Sequence, residues 1–336
     1  MNILVTGGAG YIGSIAVEQL VNHGHHPIVI DNLQAGNRGA VHPEAVFYQG
    51  SFGDIQTLTG IFQEHKIDAV MHFAAEAAID YSIINPSIFF TNNVSYGINL
   101  LNAMYEHGCS RLICSSTAAI FGEPQYTPVD EAHPKQPINA YGESKLMFER
   151  ILDWYHRAYG LKFNAFRYFS AAGASAELGE DRRKETHLIP IAIEVALGKR
   201  EFMNIYGTDY PTKDGTCIRD YIHVLDLADA HILALEHLDT HPNGKYNLGS
   251  GQGFSVREVI ETVAKVSEKE IPCVAAPRRM GDPAVLVASS ELAQKELGWQ
   301  PRFDSLEQII RSAYEWRCNH PYGFDTHPTI NDESPR

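Results

Sequence analysis

The chain of 336 residues is long enough to bury a large core, and its 44% hydrophobic and 20% charged residues are ordinary for a folded protein. Its formal net charge of −14 disfavours nucleic acid and anionic membranes as partners. Five scattered cysteines without a Cys-x-x-Cys pair indicate neither a disulfide framework nor a zinc site, and the 16 histidines show no metal-ligand spacing. We therefore predict no metal.

The first six residues lead directly into a glycine-rich turn and show none of the features of a signal peptide. No stretch of the sequence reaches the roughly 20 apolar residues that a membrane-spanning helix needs. We therefore predict a cytoplasmic protein that is neither exported nor anchored in a membrane, and the scattered cysteines agree with a reducing compartment.

Strand and helix patterns alternate along residues 1–169. An apolar run at residues 3–5 precedes a glycine-rich turn and a helix in which Ile12, Ile15 and Leu20 share one face. A second apolar run at residues 27–30 completes a strand-helix-strand unit. Further buried strands are predicted at residues 46–48, 69–72, 111–114 and 163–166. This order predicts an α/β fold of the Rossmann type, with a doubly wound parallel sheet whose ligand lies at the carboxyl ends of the strands.

The rest of the chain has a looser pattern. Residues 173–184 are small, polar and charged, whereas residues 220–224 again indicate a strand and residues 225–238 an amphipathic helix. We predict a first domain at 1–169 to which 218–240 return, a smaller mixed α/β substrate lobe at 170–217 and 241–325, and a frayed tail at 326–336.

Gly7, Gly10 and Gly13 lie between the first strand and the first helix. Gly7 permits a tight turn, Gly10 lets backbone N–H groups approach a pyrophosphate, and Gly13 lets the helix pack close to the strand. The positive end of the helix dipole then faces the phosphates. Asp31 ends the second strand about 20 residues downstream, where a carboxylate binds ribose hydroxyls and repels a 2′-phosphate, so the pattern predicts NAD rather than NADP.

Tyr141 and Lys145 lie four residues apart on a helix predicted from Ala140 to about His156, so their side chains share one face. A tyrosine with a pKa near 10 is a poor base at neutral pH, but the positive charges of Lys145 and of oxidised nicotinamide would lower its pKa. Thr117 follows the strand predicted at 111–114, where its hydroxyl would lie at the carboxyl edge of the sheet beside Tyr141. We predict these three residues to be catalytic.

The order of these motifs resembles the extended short-chain dehydrogenase/reductase family. The first lobe carries this resemblance at residues 7–13, 31–32, 72–75, 92–94, 115–122 and 141–145. In the second lobe the chain resembles the NAD-dependent epimerases of that family that act on UDP-sugars, at residues 167–169, 185–190, 205–212, 215–221 and 277–282. Nearly the whole chain is covered.

The resemblance implies a reversible epimerisation of UDP-glucose and UDP-galactose at carbon 4, through a 4-keto intermediate and with tightly bound NAD. It implies that Tyr141 removes the proton of the 4-hydroxyl, that Thr117 helps to hold this hydroxyl, and that Lys145 binds the nicotinamide ribose. The residues implied to contact NAD are Gly7, Gly10, Tyr11, Ile12, Gly13, Asp31, Asn32, Ser51, Phe52, Phe73, Ala74, Ala75, Asn92, Ser115, Tyr141, Lys145, Tyr168 and Phe169. Those implied to contact the UDP-sugar are Thr117, Ser170, His187, Leu188, Asn204, Ile205, Tyr206, Arg219, Arg279, Asp282 and Leu286.

Three positions depart from the commonest pattern of the family. Ser51 stands where an aspartate often contacts adenine, Ala77 where some members have a lysine near the cofactor pyrophosphate, and Ser170 where an asparagine is usual. We expect these changes to tune the site. The family is usually dimeric through two helices, here at residues 86–107 and 140–156, so we predict a homodimer.

Several functions remain as alternatives. A dehydratase or a UDP-glucuronate decarboxylase of the same family needs acidic assistance, which Ala118 and Ala119 cannot give. A non-catalytic NAD sensor is disfavoured by the intact Tyr141, Lys145 and Thr117. Epimerisation of UDP-GlcNAc, a UDP-pentose or UDP-glucuronate stays open. Leu286 falls near the position that gates N-acetylated sugars in the family and is smaller than tyrosine, which predicts that UDP-GlcNAc is tolerated.

Overall fold

The computed structural model describes residues 1–279 and 281–324, and the tail predicted at 326–336 lies outside the described residues. The strands are β1 Asn2–Thr6, β2 His26–Asp31, β3 Val46–Gln49, β4 Ala69–His72, β5 Arg111–Thr117, β6 Lys162–Tyr168, β7 Ser170–Ala172, β8 Met203–Tyr206, β9 Ile218–His223, β10 Asn243–Leu248, β11 Gly253–Ser255, β12 Cys273–Ala276 and β13 Val285–Leu286. The helices are α1 Tyr11–Asn22, α2 Ile55–Glu64, α3 Ile79–Ile84, α4 Pro86–Phe89, α5 Tyr96–Glu106, α6 Ala140–Tyr159, α7 Leu188–Ala196, α8 Val224–His237, α9 Val256–Ser267, α10 Glu291–Leu297 and α11 Leu306–Asn319. No helix within these two described ranges has both the length and the apolarity needed to cross a membrane.

Seven parallel strands form the sheet of the larger lobe, in the spatial order β10-β6-β5-β4-β1-β2-β3. The chain changes direction across the sheet between β1 and β4, so a crevice opens there at the carboxyl ends of the strands. The central strands are almost entirely apolar because helices cover both faces of the sheet. The predicted doubly wound fold is confirmed, with a strand at each of the six predicted positions in the first lobe.

Two layers of helices cover this sheet. On one face Val17 and Leu20 of α1 and Leu227 and Leu235 of α8 pack against the strands. On the other face α2, α5 and α6 form a second cluster, to which Phe148 of α6 contributes. The strand β5 is three residues longer than predicted, so Ser115, Ser116 and Thr117 are its last residues. Their side chains are therefore positioned by the sheet and not by a loop.

The smaller lobe contains a mixed sheet in the order β11-β9-β13, with β7 also paired to β9, and a separate pair of parallel strands β8 and β12. The helices α7, α9 and α11 pack around a core that includes Ile193, Val263 and Ile310. The predicted smaller mixed α/β lobe is found, but its boundaries differ from the predicted ones.

The chain crosses between the lobes more often than predicted. Within residues 218–240, α8 packs on the first lobe, whereas β9 lies in the sheet of the second lobe and adds only Ile222 to the core of the first. Within residues 241–325, β10 pairs with β6 at the edge of the large sheet, and α10 packs on the core of the first lobe together with Trp299. The Trp299 indole N–H donates to the backbone oxygen of Asp226 at 2.9 Å, which fixes this return segment.

Candidate active site

One long cleft of about 1000 Å³ lies at the carboxyl ends of the parallel strands and extends to the second lobe. Most of the predicted site residues line this cleft. The exceptions among the predicted residues are Leu188, Asn204, Ile205 and Tyr206. The cleft therefore brings together the glycine turn, the predicted catalytic residues and the arginines of the second lobe.

The glycine turn leaves no room for side chains. Gly7 has a φ of +75°, and a Cβ there would lie 2.6 Å from the backbone nitrogen of Ala74. A Cβ at Gly13 would lie 2.1 Å from the Gly7 oxygen, so α1 must begin against the backbone of the turn. Gly10 is the N-cap of α1 and offers no side chain to its free N–H groups. These N–H groups and the helix dipole are suited to bind a pyrophosphate.

Asp31 lies beside this turn at the end of β2. Its carboxylate accepts hydrogen bonds from the backbone N–H of Ala9 at 3.0 Å and of Leu33 at 2.8 Å. Burial raises the pKa of Asp31, and the two backbone N–H groups partly offset this effect. The hydrogen bonds orient the carboxylate in the cleft, where its remaining lone pairs suit the hydroxyls of a ribose. Asn32, Ser51 and Phe52 line the same end.

Phe73 and Tyr168 line the cleft and contact the same buried histidine. The Tyr168 hydroxyl lies 2.7 Å from Nε2 of His231, and the Phe73 ring centroid lies 4.9 Å from that of His231. Nδ1 of His231 lies 2.7 Å from the Leu227 carbonyl and must donate to it, so Nε2 accepts from Tyr168. Burial lowers the pKa of His231 to about 4, which keeps this ring neutral. The network fixes both aromatic rings that face the cofactor end.

Tyr141 is held at the first turn of α6 by the backbone geometry around it. Asn139 caps the helix by accepting from the Gly142 N–H at 2.8 Å. A Cβ at Gly142 would lie 2.5 Å from the Ala119 oxygen, so only glycine lets α6 begin this close to the turn after β5. Burial raises the pKa of Tyr141, while the Thr117 hydroxyl and the charge of Arg182 oppose that rise. Thr117 and Tyr141 both line the cleft, and a shared role of their hydroxyls stays a prediction.

Lys145 is only 4% exposed and lies against the end of β5. Its Nζ donates to the Ser115 carbonyl at 2.8 Å and to the Ser115 hydroxyl at 3.2 Å. Burial lowers the pKa of Lys145 to about 8. The ammonium of Lys145 is therefore directed to the end of β5, and its predicted effect on the pKa of Tyr141 stays a prediction.

A buried ion pair fixes α6 to the sheet behind these residues. Arg167 donates to Glu149 through Nε at 3.0 Å and through Nη2 at 2.8 Å, and the Ser116 hydroxyl donates to the same carboxylate at 2.6 Å. Both charged side chains are almost fully buried. The bidentate pair therefore joins β5, β6 and α6, the three elements that carry Thr117, Tyr168 and Tyr141.

The far end of the cleft is lined by charged side chains of the second lobe. Arg219 donates to the Ile218 and Pro283 carbonyls at 2.8 Å and to the Asp282 carboxylate at 3.1 Å. The Arg279 guanidinium lies over the Tyr206 ring, 4.1 Å from its centroid. Both arginines line the cleft, and their planar N–H groups suit the oxygens of a diphosphate.

The four predicted residues outside the cleft wall lie on β8 and at the start of α7. Ile205 points into the core of the second lobe, because neighbouring residues of a strand alternate between its two faces. Asn204 and Tyr206 take the opposite face, and Leu188 packs against the second-lobe core. Contacts from these four residues to the uracil end of the substrate stay a prediction.

A charged loop at residues 180–187, which was not predicted to belong to the site, lines part of the cleft. Arg182 and Lys184 line the cleft, and Glu180 and Glu185 lie behind them with their carboxyl groups mostly buried. Nearby, Asp181 accepts from Asn37 of the first lobe at 3.3 Å and from Arg317 at 3.0 Å. The many charged residues in 173–184 indicate that ion pairs form there. The sequence does not show which residues are the partners, because they lie far away in the chain and at no regular spacing.

The positions that decide between related reactions also line the cleft. Ala118 and Ala119 lie where a dehydratase would need an acid, and neither side chain has a proton to give. Leu286 faces the same space, as do Ala77 and Ser170. These two alanines therefore cannot supply the acid that a dehydratase or a UDP-glucuronate decarboxylase would need.

Comparisons with known proteins identify the family of this chain. The NAD dependent epimerase/dehydratase family matches residues 3–249. A UDP-glucose 4-epimerase of Lacticaseibacillus casei is 50% identical over 327 residues, which cover 96% of this chain and 99% of the relative. A crystal structure of a UDP-glucose 4-epimerase is 47% identical with a TM-score of 0.94, covering 97% of this chain and 100% of that one. A structure of the Bifidobacterium longum enzyme with NAD⁺ and UDP is 36% identical with a TM-score of 0.92, covering 96% and 100%.

The fold and the glycine turn define a dinucleotide-binding protein of the Rossmann type. The chain belongs to the NAD dependent epimerase/dehydratase family.

Proposed function

We propose that this enzyme interconverts UDP-glucose and UDP-galactose by inverting carbon 4 of the hexose. The observation that carries the proposal is the position of Tyr141, Thr117 and Lys145 in one cleft, between a dinucleotide turn and an arginine-lined end. The relatives named UDP-glucose 4-epimerase, which match almost the full chain, support the same reaction.

The residues at the cofactor end fit NAD. The turn at Gly7, Gly10 and Gly13 offers free N–H groups to a pyrophosphate, and Asp31 offers a carboxylate to a ribose. Lys145 would hold the nicotinamide ribose through its buried ammonium group. When bound, NAD accepts a hydride from carbon 4 and later returns it.

Tyr141 then performs the proton chemistry. As a phenolate, Tyr141 would take the proton of the 4-hydroxyl while carbon 4 gave up its hydride to bound NAD, so that a C=O bond would form and give a 4-keto sugar. Thr117 hydrogen-bonds the reacting oxygen. After the sugar had turned within the cleft, the Tyr141 phenol would give the proton back to the oxygen of carbon 4 as NAD returned the hydride to the opposite face of that carbon. The net change is inversion of one carbon, with no net oxidation.

The charged end would hold the nucleotide while the sugar turns. Arg219 and Arg279 would bind the diphosphate, and Asp282 would bind a ribose hydroxyl. Because these residues would hold the UDP group, the hexose could move while the UDP group stays fixed. A cleft of about 1000 Å³ has room for both ligands end to end.

The test is turnover of UDP-galactose by the purified protein without added NAD, with UDP-glucose separated by chromatography. Conversion supports both the reaction and a retained cofactor. If no UDP-glucose forms even after NAD is added, the proposal is wrong for this substrate pair. UDP-GlcNAc is the second candidate substrate, because Leu286 leaves space in the cleft that a tyrosine would fill.

We further propose a homodimer formed through α5 and α6. Tyr105 of α5 and Tyr159 of α6 are 58% and 52% exposed, and their ring centroids lie 4.5 Å apart. Tyr155 adds a third ring, 5.2 Å from that of Tyr159. Exposed aromatic clusters of this kind are typical of interfaces. A double variant Tyr105→Arg and Tyr159→Arg should sediment as a monomer, and an unchanged dimer would contradict the proposed interface.

The cytoplasm is our proposed location. The five cysteines are free thiols, and Cys109, Cys114 and Cys217 are buried. Such thiols are typical of a reducing compartment. Localisation of a tagged full-length chain by fractionation would test this proposal.

A further inference from the structure

The charged loop at residues 180–187 brings an arginine beside the glycine turn. A small cavity of about 30 Å³ adjoins the long cleft. Within the part of the chain that the structure describes, Tyr11 and Arg182 are the two residues that line both spaces, so they form the wall between them. Tyr11 is the first residue of α1, directly after Gly10, and its hydroxyl donates to the Gly173 carbonyl at 2.6 Å. Arg182 therefore lies beside the N-terminus of α1, where the free N–H groups of the turn are found.

The residue before Arg182 fixes the loop to the first lobe. The Asn37 side-chain amide donates to the backbone oxygen of Asp181 at 3.1 Å and to its carboxylate at 3.3 Å. The backbone N–H of Asn37 in turn donates to the Ala9 oxygen, within the glycine turn, at 2.9 Å. Arg317 donates to the same Asp181 carboxylate at 3.0 Å. A short chain of hydrogen bonds thus connects the glycine turn to the residue next to Arg182.

The guanidinium group of Arg182 is oriented, but its donors are not all used. Its Nε donates to Oε1 of Glu180 at 2.6 Å, and the Glu180 side chain is only 8% exposed. Among the described residues, neither Nη group of Arg182 has a hydrogen-bond partner. An arginine that is held through Nε keeps its two Nη groups for another acceptor, and their planar N–H groups match the oxygens of a diphosphate.

The other cations of the cleft have different positions. Lys145 is bound to the end of β5, and Arg219 and Arg279 belong to the charged end in the second lobe. The chain as a whole is acidic, and Asp31 adds a carboxylate at the cofactor end. A diphosphate bound at the glycine turn carries negative charge, which a cation beside it stabilises. Arg182 has the position that this role requires.

We propose that Arg182 binds the diphosphate of NAD through its two Nη groups, and that Glu180, Asp181 and Asn37 hold it in position. This inference rests on the proposed function, because it concerns the cofactor that the reaction uses and regenerates. Arg182 touches the cofactor, whereas the other three residues act through it.

The charge of Arg182 acts on two tyrosines of the cleft. Burial and the carboxylate of Glu180 raise the pKa of Tyr11, and the charge of Arg182 opposes this rise. The same charge opposes the rise that burial causes in the pKa of Tyr141. The guanidinium group therefore lies near both the glycine turn and Tyr141, and NAD that extends from one to the other passes it.

The first test is release of NAD from the holoenzyme. The protein is loaded with radiolabelled NAD, and the loss of label is followed in an excess of unlabelled NAD. Arg182→Gln should release NAD at least about tenfold faster than wild type, because a charged hydrogen bond is lost. Equal release from Arg182→Gln and wild type, or no uptake of labelled NAD by wild type, would overturn the proposal.

Arg200→Gln is the matched control for this measurement. The Arg200 side chain is 42% exposed, close to the 38% of Arg182, and it also pairs with a mostly buried glutamate, Glu194. Arg200 does not line the cleft. The control should therefore release NAD at the wild-type rate, and faster release from it would show that the loss of any such ion pair is sufficient.

A second measurement distinguishes the two diphosphates, since the UDP-sugar also has one. Binding of UDP to the loaded enzyme, measured by calorimetry, should be the same in Arg182→Gln and wild type. A loss of UDP affinity with unchanged NAD release would assign Arg182 to the substrate and overturn the proposal. Arg182→Lys should release NAD at a rate between those of wild type and Arg182→Gln, since it keeps the charge but not the planar N–H groups.

A double-mutant cycle tests the positioning role of Asn37. Asn37→Ala should speed the release of NAD by less than Arg182→Gln does, because it loosens the loop without removing the cation. In the double variant Asn37→Ala and Arg182→Gln, release should be no faster than in Arg182→Gln alone. Additive effects would show that Asn37 acts on NAD independently of Arg182, which would overturn its positioning role.

Turnover is measured separately. Normal turnover of UDP-galactose by wild type, with unchanged NAD release in Arg182→Gln, refutes only this inference. No turnover by wild type, with faster NAD release in the variant, refutes only the proposed function.

Discussion

The two ends of the cleft are built in different ways. The cofactor end consists of backbone groups at strand ends and a glycine turn, where Gly7 and Gly13 lie against other backbone atoms. The nucleotide-sugar end consists of charged side chains on loops and strand edges of the second lobe, such as His187 and Arg219. The first end selects its ligand mainly by shape and backbone hydrogen bonds, and the second by charge. We therefore expect the first end to be sensitive to added volume and the second to charge.

The largest expected effect concerns the residues between the two ends. Tyr141→Phe removes the hydroxyl that moves the proton, so kcat for UDP-galactose should fall about 10²- to 10⁴-fold while UDP affinity stays unchanged. Tyr48→Phe is the control, because its hydroxyl contacts Glu64 and His65 outside the cleft. A Tyr141→Phe enzyme with more than a tenth of wild-type kcat would contradict the assigned role.

The buried ion pair behind the catalytic residues should dominate the stability of the first lobe. Arg167→Met leaves the Glu149 carboxylate buried without its cation, which should lower the free energy of unfolding by about 3–5 kcal/mol. The midpoint of urea denaturation measures this loss. The double variant Arg167→Met and Glu149→Leu should recover most of it. If the single variant is as stable as wild type, water or another group compensates for the charge.

A side chain added in the glycine turn should impair binding of NAD but not of UDP. A Cβ at Gly13 would lie 2.1 Å from the Gly7 oxygen, so Gly13→Ala should displace α1 from the turn at a cost of about 1–3 kcal/mol. The purified variant should carry little NAD but should still bind UDP. Gly60→Ala serves as control because nothing lies within 4 Å of the added Cβ. Equal NAD content in the two variants would show that the cofactor end is not sensitive to added volume.

Acid should destabilise the protein through its buried neutral histidines. Burial lowers the pKa of His72 and His223 to about 3 and of His231 to about 4, whereas an unfolded histidine titrates near 6.5. Each ring contributes stability that is present above pH 6.5 and is lost as the pH falls, by about 1.4 kcal/mol per pH unit. Burial raises the pKa of Asp220 to about 6, so its contribution to stability has the opposite pH dependence and is lost as the pH rises.

The measurement is the free energy of unfolding of wild type and His231→Gln at several pH values between 5 and 7. The free energy of unfolding should change less steeply with pH in the variant than in wild type, by an amount that corresponds to about one bound proton. This difference does not depend on the absolute stability of the variant. An identical slope would mean that His231 already binds a proton in the folded state.

The smallest expected effect is on the choice of sugar. Leu286→Tyr should narrow the cleft, so that the ratio of UDP-GlcNAc to UDP-glucose activity falls about five- to tenfold. Competition between the two substrates measures this ratio directly. An unchanged ratio would show that Leu286 does not gate the bulkier sugar.

The sequence predicts the first lobe well for a physical reason. Strands buried on both faces are apolar runs, and the glycine turn follows from close backbone approach, so both leave a local pattern around β1 and α1. Tyr141, Lys145 and Thr117 could be placed because a parallel sheet brings its carboxyl ends to one edge. Arg219, Arg279 and Leu286 could be named only through the family resemblance.

The rest of the site depends on partners that are far apart in the chain. The pairing of Asp181 with Asn37 and Arg317 joins residues more than 130 positions apart and has no period that a sequence reveals. The placement of β10 beside β6 was missed for a similar reason, since a short strand after a helix fits either lobe. The segment 204–206 was named by a motif, which does not tell that Ile205 lies on the face of β8 that packs into the core of the second lobe.

The late position of β10 and α10 in the chain has a consequence for synthesis on the ribosome. The strands β1 to β6 emerge first, but β6 keeps an open edge until residues 243–248 can pair with it. The core beneath α8 stays incomplete until Trp299 has been added. An unpaired strand edge is prone to association with other chains. The nascent protein therefore carries its nucleotide turn long before it can bury the sheet that supports that turn.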